Sequence, residues 1–282
     1  MKELPIGFID SGFGGLTVVK QSLKQLPNES IIYLGDSARC PYGPRSLEEV
    51  KEFIWQLTRF LLNKGIKMLV IACNTGTAAA LSELRKQLTI PVIGVIHAGS
   101  RAAIKETQNQ RIGIIGTEGT IKSNLYEKVI LEKADSLKVM SVPVPEFVAI
   151  VEDNKINDPE TEIIVEKRLN IFKEKDVDTL VLGCTHYPIM KRVIGEYMGE
   201  EVRLIDSGVE TINEVSTMLD YYNISRSAHD AKNRPATIEV YTTGEEDKFA
   251  EVATTWLNMP NLTIKKCEIE GDQVVETTNR KS

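Results

Sequence analysis

The chain has 282 residues, 42% of them hydrophobic and 26% charged, which is ordinary for a globular protein with a sizeable core. The net charge of −6 argues against a general nucleic-acid binder, because such proteins usually present a basic face. No apolar run approaches the roughly 20 residues of a membrane span, and no signal peptide precedes the first strand-like run. We therefore expect a cytoplasmic protein with neither a nucleic-acid nor a membrane partner.

Short apolar runs alternate with amphipathic segments of helical length along most of the chain. Continuous runs rich in β-branched residues and separated by helices are typical of parallel strands that are buried on both faces. The sequence therefore predicts an α/β fold built from doubly wound parallel sheets. In chain order the first predicted strands are residues 6–9, 31–34, 68–72, 92–96, 112–115, 137–142, 179–182 and 202–205.

Three of these predicted strands recur at a nearly constant spacing. IGFI at 6–9 resembles IGII at 112–115, and LVIAC at 69–73 resembles LVLGC at 180–184. The run that ends at residue 96 has a similar partner that ends at residue 206. We interpret the pattern as an internal duplication, in which each of two similar halves carries a cysteine at the end of its third strand. Chance similarity between apolar strands is the alternative.

The chain beyond Asp206 predicts further elements that can return to the first half. They are a helix over 209–222, a polar loop over 223–235, a strand over 237–241, a helix over 245–257 and a strand over 263–268. The first domain would then be discontinuous and contain residues 1–97 and 208–270, with residues 98–207 forming the second domain. Residues 271–282 are polar and are expected to form a frayed tail.

The chain contains four cysteines, Cys40, Cys73, Cys184 and Cys267, and none of them forms a C-x-x-C pair. Their spacing gives no support to a zinc site or a thioredoxin-like site, so no metal is expected. In a reducing compartment isolated cysteines are free thiols, and the simplest interpretation of each is a small buried apolar residue. A functional role has to be argued from the residues that surround a cysteine.

Cys73 and Cys184 each end a predicted strand. A helix is expected to begin near Thr75, and a thiol beside a helix N-terminus has a pKa below the usual value of about 8.5. Asn74 and Thr75 add hydrogen-bonding groups next to Cys73, and His186 offers an imidazole two residues after Cys184. Ligands of open α/β sheets bind at the carboxyl ends of the strands, so two facing halves would bring both cysteines into one cleft.

Two loops at the same predicted edge supply further polar groups. The segment 9–17 (IDSGFGGLT) is a glycine-rich turn that suits an anion, although Asp10 at its tip would repel a pyrophosphate. A small zwitterion fits better, and a tight turn that merely requires glycine is the alternative. The segment 35–46 (GDSARCPYGPRS) is rich in proline and glycine and contains one tyrosine and two arginines. Loops of this kind position donors for substrate carboxylates. Within this segment, Cys40 is expected to have no catalytic role.

Two cysteines on opposite sides of a cleft suit the racemisation of an amino acid. The reaction removes a proton from one face of Cα and returns a proton to the other, so one group acts as base while the other acts as acid. Because Cα–H is a very weak acid, the site must also stabilise a carbanionic transition state and exclude water. No sequence feature requires pyridoxal phosphate, so no cofactor is expected.

Six segments between about residues 5 and 260 resemble glutamate racemases, in the order that this family shows. The resemblance implies cofactor-independent interconversion of L- and D-glutamate by two α/β domains, with the second domain inserted in the first. It further implies supply of D-glutamate for peptidoglycan and a homodimer. The segments are IDSGFGGL at 9–16, YLGD at 33–36, PYG at 41–43, ACNT at 72–75, LGCTHYP at 182–188 and IDSG at 205–208.

The resemblance also assigns roles to individual residues. Cys73 and Cys184 correspond to the proton donors and acceptors, with Asp10 assisting Cys73 and His186 assisting Cys184. Glu152 lies where the family has another acidic residue near the site, although on its own it is interpreted as a solvated helix residue. The residues implied to contact the substrate are Asp10, Ser11, Pro41, Tyr42, Gly43, Asn74, Thr75, Thr185 and His186.

Other functions remain open from the sequence. Aspartate racemase, or another racemase of acidic amino acids, is the main alternative because these enzymes also use two cysteines. A binding module without activity would leave both cysteine motifs unexplained, and a cysteine hydrolase would give no role to the second cysteine. Some glutamate racemases carry an N-terminal extension linked to activation by a cell-wall precursor. Since the first predicted strand begins by residue 6, precursor-independent activity is expected.

Overall fold

The strands of the chain form two separate sheets. The computed structural model describes residues 1–277. The strands are Ile6–Asp10 (β1), Ile31–Gly35 (β2), Met68–Ile71 (β3), Val92–Gly94 (β4), Arg111–Gly116 (β5), Lys138–Pro143 (β6), Thr179–Gly183 (β7), Arg203–Asp206 (β8), Ile238–Thr242 (β9), Ile264–Glu270 (β10) and Gln273–Glu276 (β11). The first sheet has the order β11-β10-β9-β2-β1-β3-β4, and the second has the order β6-β5-β7-β8.

Helices connect the strands and cover the sheets. They are Leu16–Gln25 (α1), Leu47–Lys64 (α2), Asn74–Gln87 (α3), Val95–Glu106 (α4), Glu118–Lys122 (α5), Leu125–Lys133 (α6), Glu146–Glu152 (α7), Pro159–Glu174 (α8), Lys191–Met198 (α9), Ser207–Tyr221 (α10), Ala228–Asn233 (α11) and Glu246–Leu257 (α12). A short 3-10 helix covers Tyr187–Met190. Within residues 1–277, no helix combines the length and the apolar character that a membrane crossing requires.

The two sheets repeat one arrangement of four strands. In the first sheet β1 lies between β2 and β3, with β4 outside β3, and in the second β5 lies between β6 and β7, with β8 outside β7. All these pairs are parallel. The shared order confirms the predicted α/β class and the internal duplication. Cys73 and Cys184 follow the equivalent strands β3 and β7.

The chain passes between the two sheets twice. α4 leads from β4 to β5, α10 leads from β8 back towards β9, and these two helices pack against each other. The first sheet therefore takes its strands from residues 6–94 and 238–276, and the second takes its strands from residues 111–206. The domain boundaries at 97/98 and 207/208 stay a prediction.

Residues of the central strands alternate between two buried clusters on opposite faces of the first sheet. Phe8 of β1 and Val70 of β3 belong to one cluster, whereas Ile9 and Ile71 belong to the other. Because neither face is left to water, every position of these strands favours an apolar side chain. Each such burial stabilises the fold by about 1.5–3 kcal/mol, which accounts for the unbroken apolar runs of the sequence.

Two predicted segments differ in detail from the structure. β4 ends at Gly94 rather than at residue 96, because Gly94 is extended and caps the helix that begins at Val95. The polar segment 223–235 was predicted to be a loop throughout, but it contains α11. The start of α11 is stabilised by a reciprocal capping box between Ser227 and Asp230, which a polar composition can hide.

The prediction of a frayed tail from residue 271 was wrong for β11. This strand pairs antiparallel with β10 after a two-residue turn at Gly271 and Asp272. Gly271 has φ of 62°, a left-handed conformation that glycine adopts without strain, and Val274 packs into the core. The Gly-Asp turn was thus a hairpin signal inside a polar segment. Residues 278–282 of the predicted tail lie outside the described residues.

A buried ion pair lies at the amino ends of the first sheet, away from the cysteines. Lys67 Nζ donates to the carboxylate of Glu29 and to the carbonyl oxygens of Lys2 at 2.8 Å and Ile224 at 2.9 Å. The side chains of Lys67 and Glu29 are 0% and 3% exposed. Removing one partner of such a pair leaves an uncompensated charge in the protein interior, which is strongly destabilising.

Glu29→Gln is accordingly expected to lower the free energy of unfolding by about 3–5 kcal/mol, measured by urea denaturation. Glu132→Gln is the matched control, since it breaks an exposed ion pair with Lys128 and is expected to cost less than about 1 kcal/mol. Equal losses in the two variants would contradict the assignment of Lys67 as a buried charge that depends on Glu29.

Candidate active site

The carboxyl ends of the two sheets face one small cavity. Its wall includes both Cys73 and Cys184, and its volume is about 20 Å³. The structure thus brings together the two cysteines that the sequence paired. The wall consists of Ser11, Cys40, Pro41, Tyr42, Gly43, Cys73, Asn74, Thr75, Thr117, Val148, Cys184, Thr185 and His186. Of the predicted site residues, Asp10 and Glu152 are not part of this wall.

Cys73 caps the N-terminus of α3. It follows β3, is 6% exposed, and its Sγ accepts a hydrogen bond from the backbone N–H of Gly76 at 3.3 Å. Burial nevertheless raises the pKa of Cys73 to about 12, and the charge of Asp10 acts in the same direction. The prediction of a lowered pKa was therefore wrong, because desolvation outweighs the helix terminus. Cys73 is a thiol near neutral pH.

Asp10 ends β1 beneath the glycine-rich turn. Its side chain is fully buried, and one carboxylate oxygen accepts the backbone N–H of Gly12 at 3.0 Å. Burial raises the pKa of Asp10 above its usual value. Asp10 thus lies close enough to Cys73 to influence its proton, while the fold shields it from the cavity.

Cys184 follows β7 and lies beside a buried imidazole. Its Sγ is 3.7 Å from Nδ1 of His186, and Nε2 of His186 is 3.1 Å from Oε1 of Glu152. Burial by itself lowers the pKa of His186, but hydrogen bonds and charge interactions with Cys184 and Glu152 outweigh burial and raise the pKa to about 10. His186 is therefore protonated near neutral pH, between a sulfur and a carboxylate. Glu152, at the end of α7, is not simply a solvated helix residue.

The loop after β2 is held by Asp36, whose role the sequence did not reveal. Tyr42 Oη donates to the carboxylate of Asp36, and Arg39 Nε donates to it at 2.7 Å. Arg45 donates to Glu49 at 2.7 Å. Both arginines therefore pair with carboxylates of the protein, and neither lines the cavity. The loop instead contributes Pro41, Tyr42 and Gly43 to the cavity wall.

Three residues of the cavity wall were not predicted as site residues: Cys40, Thr117 and Val148. Thr117 follows β5 as Ser11 follows β1, so the duplication that relates residue 6 to residue 112 could have identified it. Sγ of Cys40 is 4.0 Å from Oε1 of Glu152, and the absence of a catalytic role for Cys40 stays a prediction.

Direct contacts between the two halves close the cleft. Oγ1 of Thr75 lies 2.9 Å from Oγ1 of Thr117, and the backbone N–H of Gly119 donates to the carbonyl of Gly43 at 2.8 Å. The remaining cavity has room for about one water molecule. Access of a larger ligand therefore requires these contacts to separate. Within residues 1–277, no group of three or more His, Cys, Asp or Glu side chains is arranged to hold a metal ion.

Comparison with known proteins agrees with the fold. A profile of the Asp/Glu/Hydantoin racemase family matches residues 6–215, and the chain belongs to this family. A glutamate racemase from Carnobacterium sp. (strain St2) is 53% identical over 266 residues, which cover 94% of this chain and 98% of that protein.

Solved structures give the same relationship. A glutamate racemase isoform from Bacillus anthracis has a TM-score of 0.89 at 42% identity, with 97% of this chain and 100% of that chain covered. A glutamate racemase from Francisella tularensis subsp. tularensis SCHU S4, solved in complex with D-glutamate, has a TM-score of 0.86 at 33% identity. That match covers 96% of this chain and 98% of the other.

Proposed function

We propose that the protein is a glutamate racemase that interconverts L- and D-glutamate without a cofactor. The observation that carries the proposal is the pair of cysteines, which end equivalent strands of a duplicated fold and line one cavity. The similarity to glutamate racemases over nearly the whole chain, one of them solved with D-glutamate, supports glutamate as the substrate.

The two cysteines have different surroundings, and the proposal assigns them different roles. Cys73 holds a proton because its pKa is about 12. The positive charge of His186 lies beside Sγ of Cys184, and Glu152 contacts the other nitrogen of the ring. We therefore assign Cys73 as the acid and Cys184 as the base of one direction, which is the pair that a two-base mechanism requires.

In one direction the thiolate of Cys184 removes the Cα proton, and the electron pair of the C–H bond stays on the substrate as a carbanion. The thiol of Cys73 gives its proton to the opposite face and becomes a thiolate. The reverse reaction exchanges the two roles. Asp10 acts on Cys73 by charge, and His186 and Glu152 act on Cys184.

The polar residues of the wall hold the substrate and stabilise the developing negative charge. Their hydroxyl, amide and backbone groups surround a small space from which bulk water is excluded, so each interaction with the carboxylates is strengthened. The residues proposed for this role are Ser11, Pro41, Tyr42, Gly43, Asn74, Thr75, Thr185 and His186, with Asp10 shaping the turn below them. Binding includes a separation of the two halves and their closure around glutamate.

We place the protein in the cytoplasm, where it supplies D-glutamate for peptidoglycan, and we propose that it is a homodimer. Sedimentation velocity on the purified chain tests the assembly, and a single species of monomer mass would refute it.

The test of function is incubation with L-glutamate in D₂O. We expect the optical rotation to decay to zero while deuterium enters Cα, without added cofactor. The same assay with L-aspartate is the comparison. Turnover of aspartate without turnover of glutamate would overturn the proposed substrate, and no exchange with either would overturn the reaction.

Gly14→Ala tests whether the position of His186 matters. A Cβ on Gly14 would overlap Oγ1 of Thr185 and lie 2.7 Å from Nδ1 of His186. We expect kcat/KM to fall at least about tenfold, because small displacements of catalytic groups are costly. Gly195→Ala on α9 is the control, since the nearest atom to its Cβ lies at 3.6 Å. Equal kcat/KM values for the two variants would argue against the proposal.

A further inference from the structure

Tyr126 of the second half contacts the cavity wall of the first half. It lies on α6, is 2% exposed, and its hydroxyl donates to Oδ1 of Asn74 at 2.8 Å. Asn74 is itself 3% exposed and begins α3 directly after Cys73. The hydrogen bond therefore joins a residue outside the cavity wall to a polar side chain of that wall.

This hydrogen bond determines which group of the Asn74 amide remains available to bind a ligand. A tyrosine hydroxyl has one proton to donate, and the amide oxygen is the only side-chain acceptor of an asparagine. Burial raises the pKa of Tyr126, so its hydroxyl keeps that proton. The amide nitrogen Nδ2 of Asn74 is buried and has no hydrogen-bond partner within residues 1–277. A buried donor without a partner is costly, and a ligand in the cavity can satisfy it.

The ring of Tyr126 packs closely against two glycines. A Cβ on Gly183 would lie 3.2 Å from Cε2 of the ring, and a Cβ on Gly99 would lie 3.4 Å from Cε1. Side chains at either position would crowd the ring from β7 or from α4. The ring therefore fits a tight slot between these elements, and phenylalanine can occupy the same slot without the hydroxyl.

We propose that Tyr126 is a positioning residue, whose hydroxyl holds the Asn74 amide so that its NH₂ group donates to a carboxylate oxygen of the substrate. The inference rests on the proposed function for the identity of that substrate. Because Tyr126 and Asn74 belong to different halves, the donor is oriented when the cleft is closed. An amide turned the other way would present its oxygen to the carboxylate and repel it.

The test is a double-mutant cycle on Tyr126→Phe and Asn74→Ala. We expect Tyr126→Phe to raise KM for L-glutamate about tenfold, the size of one hydrogen bond, and to change kcat less than about threefold. Asn74→Ala should raise KM at least as much. In the Asn74→Ala background, Tyr126→Phe should add no further increase, because Tyr126 acts through Asn74.

If Tyr126 has only a structural role, the effects of the two substitutions on KM add, and Tyr126→Phe changes kcat as much as KM.

Tyr241→Phe is the matched control, because Tyr241 is also buried, donates to Glu239 at 2.8 Å and is absent from the cavity wall. Its KM should equal that of the wild type. An unchanged KM in Tyr126→Phe, with normal wild-type turnover, would overturn the inference alone. Wild-type protein that does not act on glutamate would overturn the proposed function and the inference with it.

Discussion

Replacing Cys73 or Cys184 with serine is expected to lower kcat/KM for racemisation by at least about 10³-fold in each case. A serine hydroxyl is a far weaker acid than a thiol, so it neither forms the base nor delivers the proton at the pH of the reaction. Since the proposed reaction needs both groups in every turnover, neither cysteine can compensate for loss of the other. Decay of optical rotation measures the effect.

Exchange of the Cα proton in D₂O tests the role of each cysteine separately. Each cysteine faces one side of Cα, so each single variant retains a base for one enantiomer only. Slow exchange without inversion is expected for one enantiomer in Cys73→Ser and for the opposite enantiomer in Cys184→Ser. The same enantiomer preference in both variants would show that the cysteines do not lie on opposite faces of the substrate.

Cys267→Ala is the control for these variants. Cys267 is fully buried in an apolar cluster of the first sheet and does not line the cavity. Its loss removes a small buried side chain and affects folding stability, whereas kcat/KM of the folded enzyme should stay within about twofold of the wild type. A Cys267→Ala enzyme that folds but does not racemise glutamate would contradict the choice of the two catalytic cysteines.

His186→Asn is expected to lower kcat/KM about 10²-fold, the usual contribution of a group that assists proton transfer. The loss removes the positive charge 3.7 Å from Sγ of Cys184 and leaves the thiolate in a buried site without a counter-charge. The two enantiomers have equal free energy, so kcat/KM must fall by the same factor in both directions. Unequal factors would indicate a side reaction rather than racemisation.

The pH dependence follows from the same contacts. His186 has a pKa raised to about 10, so it is protonated below that pH and loses its charge as the pH rises through about 10. We expect kcat/KM to fall above about pH 10. Glu152→Gln removes one of the two groups that raise this pKa, so the fall should begin at lower pH. An alkaline limb that does not move in Glu152→Gln would argue against coupling between Glu152 and His186.

Much of the fold could be predicted because its signals are local. The unbroken apolar runs of β1 and β3 follow from burial on both faces of a sheet, and they are visible in any short window of sequence. The repeat that relates LVIAC to LVLGC placed the two cysteines on equivalent strands, and the sheet order confirms that equivalence. The hairpin at Gly271 was missed because its polar composition outweighed its turn signal.

The chemistry of the site depended on contacts between distant segments. The sequence placed Cys73 at a helix N-terminus, which lowers a thiol pKa, whereas packing buried the thiol near Asp10 and raised its pKa to about 12. The sequence offered two arginines in the loop after β2, whereas the folded loop pairs one of them, Arg39, with Asp36. The hydrogen bond from Tyr126 to Asn74 joins residues 52 positions apart in two halves of the molecule. Residue types and spacing determine which groups can react, but desolvation and charge pairing set their protonation, and these arise only when the chain is folded.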